Sequence, residues 1–549
     1  MSLPPPIEVA MAGTSTRTTT VREATWALMR AHGMTTVFGN PGSTELGFFL
    51  GWPQDFRYVL GLQECVVVGM ADGYAQATGN AAFVNLHSAV GVGHAMGAIF
   101  TAFKNRTPMV ITVGQQARSI LAFDPFLHSA DATTLPKPYV KWAVEPARGE
   151  DVPQAIARAY HLAMQPPRGP VVVSVPADDW GLACEPLAPR RVSQSLRPDA
   201  ALLGIVGDAL DAAERPAFVI GPAVDRDGAW PLARALAERH RARVFGAPMS
   251  GRAGFPEDHP QFGGWLPAFR DRIVAALTGH DLIVVLGANA FTYHVQGEGP
   301  HAPESATVVQ ITDDPQAAAW APVGTSVVAS LRLALQDLLD RPVAPRAASR
   351  RLPSPREAAP LQAMPESGER IPVAFFMQTL NTVRPRDSIV FEEAPSARAS
   401  MQRHLPIFEP GTYWTMDSGG LGHGLAAAMG VALAQQQRGG GPRVIAMIGD
   451  GSAMYSIQAL WNAAQLKLPV TVLILNNRRY AALQNFAPHF GFAPGAALTG
   501  TDLPDLDFVA LAAGQGLQAS RVSEGSALAQ ALEDAIGHQG PVLLEVALA

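Results

Sequence analysis

The stretch of residues 444–480 alternates short apolar runs with polar turns, and the rest of the chain is organised around it. Residues 444–448 form an apolar run that ends at Gly449-Asp450-Gly451, and residues 470–475 form a second run that ends at Asn476-Asn477. A helical spacing of apolar residues opens at Ser452 between the two runs. This order predicts two parallel strands joined by a helix. Both turns should then lie at neighbouring carboxyl ends, where ligands bind.

The same alternation extends along the whole chain and predicts an α/β fold with three doubly wound parallel-sheet domains. We place these domains at residues 18–186, 199–340 and 372–549, with Pro- and Arg-rich linkers at 186–198 and 341–371. A capping box at Thr20 and Glu23 predicts the first helix. The predicted strands cover residues 36–38, 56–62, 82–86, 109–113 and 171–175, then 217–220, 244–245, 282–286 and 308–311, then 388–391, 444–448, 470–475 and 542–546.

Length and composition narrow the class of protein. With 549 residues the chain is too long for a single hydrophobic core. Hydrophobic residues make up 48% and charged residues 16%, which is a globular composition. The formal net charge of −6 argues against a nucleic-acid-binding protein, because such proteins normally carry a basic face. The only cysteines, Cys65 and Cys184, exclude a secreted disulfide scaffold and favour a reducing compartment.

Neither the N-terminus nor the most apolar segment predicts membrane targeting. Residues 1–17 lack a basic start followed by an apolar core, so we interpret them as a short disordered tail and not as a signal peptide. Residues 81–103 are rich in small apolar residues, but Asn85, His87 and His94 interrupt them. We therefore expect a cytoplasmic protein with no membrane partner.

The polar residues at the two strand ends suit a site for a metal ion and a diphosphate. Asp450 offers a carboxylate, Asn477 an amide oxygen and the chain just downstream a backbone carbonyl, and Mg2+ prefers such oxygen ligands. The glycines let the backbone approach phosphates, and the free amides of the following helix point toward them. Either turn alone could be only a tight turn or a strand end. Both together, each directly after an apolar strand, favour the metal–diphosphate site.

The order of GDG, a helix and NN resembles the signature of thiamine-diphosphate-dependent enzymes, and across its length the chain resembles the benzoylformate decarboxylase branch of that superfamily. The resemblance implies a thiamine-diphosphate-binding fold with pyrimidine-binding, middle and diphosphate-binding domains. It also implies thiamine diphosphate and Mg2+ as cofactors, with Asp450, Asn477 and the Arg479 backbone carbonyl as metal ligands. The diphosphate-side cofactor contacts that it implies are Ser396, Gly451, Ser452 and Tyr480.

The activating acid that the resemblance implies is Glu64. From the residues alone, Glu64 could simply be an acid at a helix N-terminus, stabilised by the helix dipole. In the resembled superfamily, a glutamate at this place bonds N1′ of the aminopyrimidine and promotes its imino tautomer. Likewise, the Gly419 carbonyl would accept a hydrogen bond from N4′, and Leu421 would hold the two rings of the cofactor in a bent shape. Simple core packing is the alternative role for Leu421.

Three residues match the substrate chemistry of the benzoylformate branch: Ser43 in NPGS, His87 in NLHS and His294 after a tyrosine. A lone histidine is more often structural than catalytic, so this match depends on the resemblance. Thr415 departs from the family, which has an aromatic residue there, and makes a shift in substrate preference plausible. Pro395 stands where the family commonly has a hydroxyl residue. The other residues predicted to line the substrate pocket are Phe126, Leu127, Ala482, Leu483 and Phe486.

The resemblance therefore implies decarboxylation of a 2-oxo acid such as benzoylformate to an aldehyde and CO2. It also implies a homo-oligomer, because the Glu64 domain would meet the diphosphate domain of another subunit. We expect at least a dimer, and a tetramer as the full assembly. A carboligase that joins aldehydes or forms acetohydroxy acids is the nearest alternative, because the two activities would share one enamine and differ only in the electrophile that captures it. Pocket contacts differ by only about 1–3 kcal/mol per methylene, so branched aliphatic substrates stay open beside aryl ones. A catalytically silent cofactor-binding protein is a further alternative, which the presence of Glu64, Asp450 and Asn477 disfavours.

Overall fold

The computed structural model describes residues 18–345 and 349–549. The predicted N-terminal tail, residues 1–17, lies outside the described residues, as do residues 346–348 of the second predicted linker. The described part contains three six-stranded sheets in which every strand pair is parallel. The predicted fold class is therefore confirmed. The predicted domain boundaries stay predictions.

The first sheet is built from residues of the predicted first domain, and a small antiparallel pair, Thr19–Thr20 with Ala183–Cys184, lies beside it. The capping box at Thr20 and Glu23 is present and opens the first helix, as predicted. From edge to edge the strands are Arg57–Leu60, Thr36–Asn40, Ala82–Leu86, Met109–Gln115, Pro170–Pro176 and Ala143–Val144. The α-helices of this region are Val21–Ala31, Leu46–Phe49, Glu64–Thr78, Ser88–Lys104 and Val152–Met164.

The second sheet has apolar residues buried on both of its faces. Its central strand Leu282–Leu286, with the sequence LIVVL, is buried at every residue, as expected for a strand covered on both sides. From edge to edge the strands are Phe262–Trp265, Arg243–Gly246, Pro216–Ile220, Leu282–Leu286, Thr307–Thr312 and Thr325–Val328. The helices are Ala200–Ala212, Pro222–Arg226, Trp230–His240, Arg270–Leu277, Pro315–Ala319 and Leu331–Leu339.

The third sheet contains the two strands predicted around the GDG and NN turns, and they are neighbours in it. From edge to edge its strands are Tyr413–Trp414, Ile389–Glu393, Val444–Gly449, Val470–Asn476, Val542–Ala547 and Gln518–Val522. The α-helices are Val373–Val383, Arg398–His404, Gly424–Gln437, Asp450–Tyr455, Ala459–Leu466, Ala481–Phe486, Phe508–Gly514 and Leu528–Gly537. None of the helices among the described residues is long and apolar enough to cross a membrane.

The structure differs from the predicted elements where the local pattern of apolar residues is weak, at one helix and at the edge strands. The helix predicted to open at Ser452 begins at Asp450, because Gly449 is already extended and acts as its N-cap. The single helix predicted there is two helices, which part at Ser456. All the strands of the large sheets that the pattern missed are edge strands. A strand paired on one side needs no continuous apolar run, and Gln518–Val522 has one buried residue.

The first and third sheets are joined by close packing of two helices, Glu64–Thr78 (the Glu64 helix) and Gly424–Gln437 (the Gly424 helix). A Cβ atom at Gly73 would lie 1.9 Å from the Ala427 carbonyl oxygen, and one at Gly430 would lie 1.9 Å from the Met70 carbonyl oxygen. Glycine at both positions therefore lets the two backbones come together. Apolar residues of both helices and both sheets form one buried cluster. This packing fixes the start of the Glu64 helix relative to the third sheet.

Candidate active site

The two turns of the third sheet that were predicted to meet do so in the structure. The Asp450 carboxylate accepts a hydrogen bond from the Arg478 amide at 2.6 Å and another from the Gly451 amide at 2.8 Å. Asn477 accepts a hydrogen bond from the Arg479 amide at 3.1 Å through its side-chain oxygen. Burial raises the pKa of Asp450, while these backbone amides oppose the rise. A cation beside this carboxylate would offset the cost of burying its charge.

The residues at these turns fit Mg2+ and a diphosphate. The oxygen donors are one carboxylate, one amide and one backbone carbonyl, a set that Mg2+ completes with phosphate oxygens and water. Among the described residues there is no group of three or more His, Cys, Asp and Glu side chains that could hold a metal ion. The loop is held by the Tyr480 amide, which donates to the Thr501 carbonyl at 2.7 Å.

Gly451 is required by a close approach of the Tyr480 ring. A Cβ at Gly451 would lie 2.3 Å from a carbon of that ring, so only glycine fits without displacing Tyr480. Ser452, the next residue, is buried in the first turn of the helix Asp450–Tyr455. The bare backbone at this turn is what a close diphosphate contact needs.

The glycine turn at Gly419–Leu421 is held by a buried acid, Glu393, that the sequence pattern did not single out. Gly419 has a φ of +72°, in the left-handed region, so the sharp turn needs a glycine there. The Glu393 carboxylate accepts hydrogen bonds from the amides of Gly422 at 2.6 Å, His423 at 2.9 Å and Gly424. Burial raises the pKa of Glu393 to about 7, and the three amides oppose the rise. The paired acids at the end of the strand Ile389–Glu393 were the signal available in the sequence.

Ser396 and Thr415 flank this region in different environments. Ser396 is exposed and lies just before the helix Arg398–His404, as predicted. Thr415 is buried, and its hydroxyl accepts a hydrogen bond at 3.0 Å from Arg398, which pairs with Glu392 at 2.7 Å. The Thr415 side chain thus belongs to a polar network, and its role in the substrate pocket stays a prediction.

Glu64 begins its helix at the end of the strand Arg57–Leu60, and its carboxylate is held from two sides. Asn40, the last residue of the neighbouring strand, donates from its side-chain nitrogen to Oε1 at 3.4 Å. His94 Nδ1 lies 3.1 Å from Oε2. The Glu64 side chain is 10% exposed and the His94 side chain 56% exposed. In the sequence, His94 stands out only as a polar interruption of an apolar segment, and no local motif marks it as a site residue.

Ser43 and His87 follow adjacent strands of the first sheet, so both lie at its carboxyl edge as predicted. His87 Nδ1 lies 2.9 Å from the Glu45 carboxylate and 3.1 Å from the Thr44 hydroxyl. Glu45 is 1% exposed and also accepts from the Gly42 amide at 2.7 Å. Since a carboxylate only accepts, Nδ1 carries the proton and Nε2 is left free to exchange one. Glu45 was missed because its contact with His87 spans 42 positions.

His294 lies in the second domain and contacts the third. Its ring centroid is 4.3 Å from that of Phe486, and Phe486 also stacks on Phe269. The helix Ala481–Phe486, which carries the predicted pocket residues Ala482 and Leu483, has no buried residue. The structure therefore brings His294 together with one of the predicted pocket residues.

The loop that carries Phe126 and Leu127 is tied to the His87 turn. Phe126 is 86% exposed, and Leu127 has a φ of +65°, an unusual backbone for a leucine. Ser129, two residues on, accepts a hydrogen bond from the Ala89 amide at 2.7 Å through its hydroxyl. The hydrogen bond from Ala89 to Ser129 therefore ties the loop that carries Phe126 and Leu127 to the chain just after His87.

The predicted residues thus fall into two groups within one chain. Ser43, His87 and Glu64 lie at the carboxyl ends of three adjacent strands of the first sheet. Asp450 and Asn477, with Tyr480 and the glycine turn, lie at the edge of the third sheet. Among the described residues, no hydrogen bond or ion pair joins the Glu64 carboxylate to the Asp450–Asn477 turns.

The chain is similar to known proteins along most of its length. Three family models for thiamine pyrophosphate enzymes match the chain in order: the N-terminal TPP binding domain at residues 19–134, the central domain at 205–338 and the C-terminal TPP binding domain at 396–546. Benzoylformate decarboxylase of Pseudomonas aeruginosa is 44% identical over 531 residues, covering 96% of this chain and 98% of that protein.

Two solved structures share the whole fold. The thiamine diphosphate-dependent 4-hydroxybenzoylformate decarboxylase of Rhodococcus jostii RHA1 is 41% identical with a TM-score of 0.90, covering 96% of this chain and 99% of that one. Benzoylformate decarboxylase of Polynucleobacter necessarius is 38% identical with a TM-score of 0.91, covering 96% of this chain and 98% of that one.

Proposed function

The chain belongs to the thiamine pyrophosphate enzyme family, and from that premise we propose that it decarboxylates an aryl 2-oxo acid such as benzoylformate. The products would be the corresponding aldehyde and CO2. The observation that carries the proposal is the convergence of Ser43, His87 and Glu64 at three adjacent strand ends. The relatives of similar length named above are decarboxylases of benzoylformate or its 4-hydroxy derivative, which supports the same substrate class.

The cofactors in this proposal are thiamine diphosphate and Mg2+. Asp450, Asn477 and the Arg479 carbonyl would hold the metal ion. Ser396, Gly451, Ser452 and Tyr480 would surround the diphosphate. Gly419, Leu421 and Glu64 would contact the rings, with the Glu64 carboxyl hydrogen-bonded to N1′ of the aminopyrimidine. When bound, thiamine diphosphate supplies a nucleophilic ring carbon and an electron sink for the departing carboxylate.

The chain's own residues would bind the substrate and move protons. The Ser43 hydroxyl is exposed at the start of its turn and would hold the substrate carboxylate. His87 can take or give a proton at Nε2, since Glu45 holds Nδ1. His294 would act from the opposite wall, where Phe486 packs against its ring. The apolar side chains Phe126, Leu127 and Leu483 would exclude water from the substrate's aromatic ring.

By the family resemblance, Glu64 of one copy would meet Asp450 and Asn477 of another copy. We therefore propose a homo-oligomer, at least a dimer and by our proposal a tetramer. Sizing of the active enzyme by light scattering tests this, and an active monomer would contradict it.

The test of the function is a panel of 2-oxo acids with purified protein, thiamine diphosphate and Mg2+. We expect CO2 and aldehyde from benzoylformate at a higher rate than from pyruvate or branched aliphatic acids. Adding acetaldehyde to the same reaction tests for carboligation, the nearest alternative. Purified, cofactor-loaded protein that released no aldehyde from any acid in the panel would overturn the proposal.

A further inference from the structure

One face of the helix Ser88–Lys104 lines the candidate site with polar groups at a regular spacing. His87, at its N-cap, contacts the Glu45 carboxylate. His94 contacts Glu64 at 3.1 Å, and the Thr101 hydroxyl lies 2.9 Å from the Ser418 hydroxyl beside the glycine turn. Residues seven apart lie two turns apart on one side of a helix. The face therefore places His87 and His94 against two acids of the first domain, Glu45 and Glu64.

Of these three groups, only His87 has a role in the function proposed above. We propose that His94 is a positioning residue that orients the Glu64 carboxylate toward the aminopyrimidine of the cofactor. This inference rests on the proposed function, and it adds a third histidine to the two proposed to act on the substrate. Nδ1 of His94 donates to Oε2, Asn40 donates to Oε1, and the two donors together fix the plane of the carboxylate.

The other groups around Glu64 contribute less than His94 to the orientation of its carboxylate. Among the described residues, His94 carries the only basic nitrogen within ion-pair distance of the Glu64 carboxylate, and Asn40 is uncharged and more distant. The adjacent Cys65 adds no negative charge beside Glu64, since burial raises the pKa of its thiol to about 11 and keeps it neutral. A Cβ at Gly91 would lie 3.6 Å from Glu64 Cγ, so the helix backbone packs against the acid's stem. The carboxylate's orientation is therefore set by the helix that carries His94.

An ordinary surface pair would not have this effect. Ion pairs between two exposed groups contribute about 0–1 kcal/mol, because water competes for both partners. The Glu64 side chain is nearly buried while the His94 side chain is half exposed, so water has little access to one of the two partners. Hydrogen bonds to such a shielded charge are stronger than those at the surface.

The experiment is a double-mutant cycle on Glu64 and His94, read by two measurements. The first is the dissociation constant of thiamine diphosphate with Mg2+, measured calorimetrically without substrate. The second is the division of the effect between kcat and KM for benzoylformate. With Glu64 intact, His94→Leu should weaken cofactor binding and lower kcat by about tenfold each, as for loss of a hydrogen bond to a charged group. KM should stay within about twofold.

Two comparisons separate positioning from general structural damage. In the Glu64→Gln background, His94→Leu should change cofactor binding by less than about twofold, because the carboxylate it orients is gone. His94→Asn should restore binding and kcat to within about threefold of the wild type. Its amide Nδ2 is bonded to Cγ, like Nδ1 of histidine, so it can donate from the same place. His259→Leu, which breaks a pair of the same 3.1 Å length with Glu238, is the matched control and should change neither measurement.

The outcomes are distinct. Equal losses from His94→Leu in both backgrounds, or no rescue by His94→Asn, would overturn the inference. If His94→Leu does not fold, His94→Asn and His94→Gln decide it, since the glutamine donor lies one bond farther away and should rescue less. Failure of the proposed function would show differently, as tight cofactor binding with no decarboxylation of any acid, and the binding cycle would still test His94.

Discussion

Replacing Gly73 with alanine should damage both stability and turnover. The added Cβ would lie 1.9 Å from the Ala427 carbonyl oxygen and 2.7 Å from the carbonyl carbon. To restore ordinary contact, the Glu64 and Gly424 helices would have to separate locally by roughly 1.5 Å in a tightly packed core. Overpacking of this kind costs about 1–3 kcal/mol. For a domain of this size that lowers the thermal midpoint by roughly 2–12 °C.

The effect on turnover follows from what the two helices carry. Glu64 begins one helix, and the amides held by Glu393 begin the other. A displacement of about 1 Å at a catalytic group can cost about 100-fold in rate, so we expect kcat to fall between roughly tenfold and 100-fold. The assay combines thermal unfolding of the cofactor-loaded enzyme with steady-state decarboxylation.

Gly204→Ala is the matched control for this change. It makes the same substitution inside the helix Ala200–Ala212, where a Cβ meets no atom within 4 Å. Removing a helical glycine there should raise stability by up to about 1 kcal/mol and leave kcat unchanged. If Gly73→Ala melted at or above the wild-type temperature with unaltered turnover, the close approach of the two helices would be refuted.

Three further predictions concern single groups. Asp450→Asn should weaken Mg2+-dependent cofactor binding by more than about 100-fold. Mutating even a residue that only hydrogen-bonds to a metal ligand lowers metal affinity by about 10–100-fold. Calorimetry with and without a chelator checks this. Glu64→Gln should abolish most decarboxylation while cofactor binding largely survives, weakened by about tenfold through the loss of one hydrogen bond to a charged group. An unchanged rate would remove Glu64 from the mechanism. Burial lowers the pKa of His240 to about 4, so the unfolded chain takes up a proton that the folded chain resists as pH falls from about 6.5 to 4. Stability should therefore fall by about 3 kcal/mol across that window, and thermal unfolding of His240→Gln should show a correspondingly smaller loss on acidification.

The central strands and the turns after them could be predicted from sequence because the signals are local. The apolar runs before Asp450 and Asn477 are buried on both faces of the sheet, and parallel topology alone brings the two turns together. The edge strands could not be predicted in the same way, since a strand such as Gln518–Val522 is paired on one side and largely exposed. A run of apolar residues in the sequence therefore predicts the central strands of a sheet better than its edge strands.

The residues that support the site escaped prediction for a different reason. Glu45, His94 and Glu393 each act through a partner 29 or more positions away, so no local motif marks them. Their side chains are also common types at turns and helix ends, where an acid or a histidine usually needs no special explanation. The residues that would touch cofactor could be found through the resemblance, while those that hold them in place became visible only with the fold.

The buried cluster shared by the first and third sheets limits how the enzyme can open. A hinge between these two regions would have to pull apart the Glu64 and Gly424 helices and wet their apolar contacts. The helix Ala481–Phe486 has no such anchor, since none of its residues is buried, and Phe126 is exposed on its loop. A rearrangement of these small segments would leave the shared core intact, whereas separating the two helices would not.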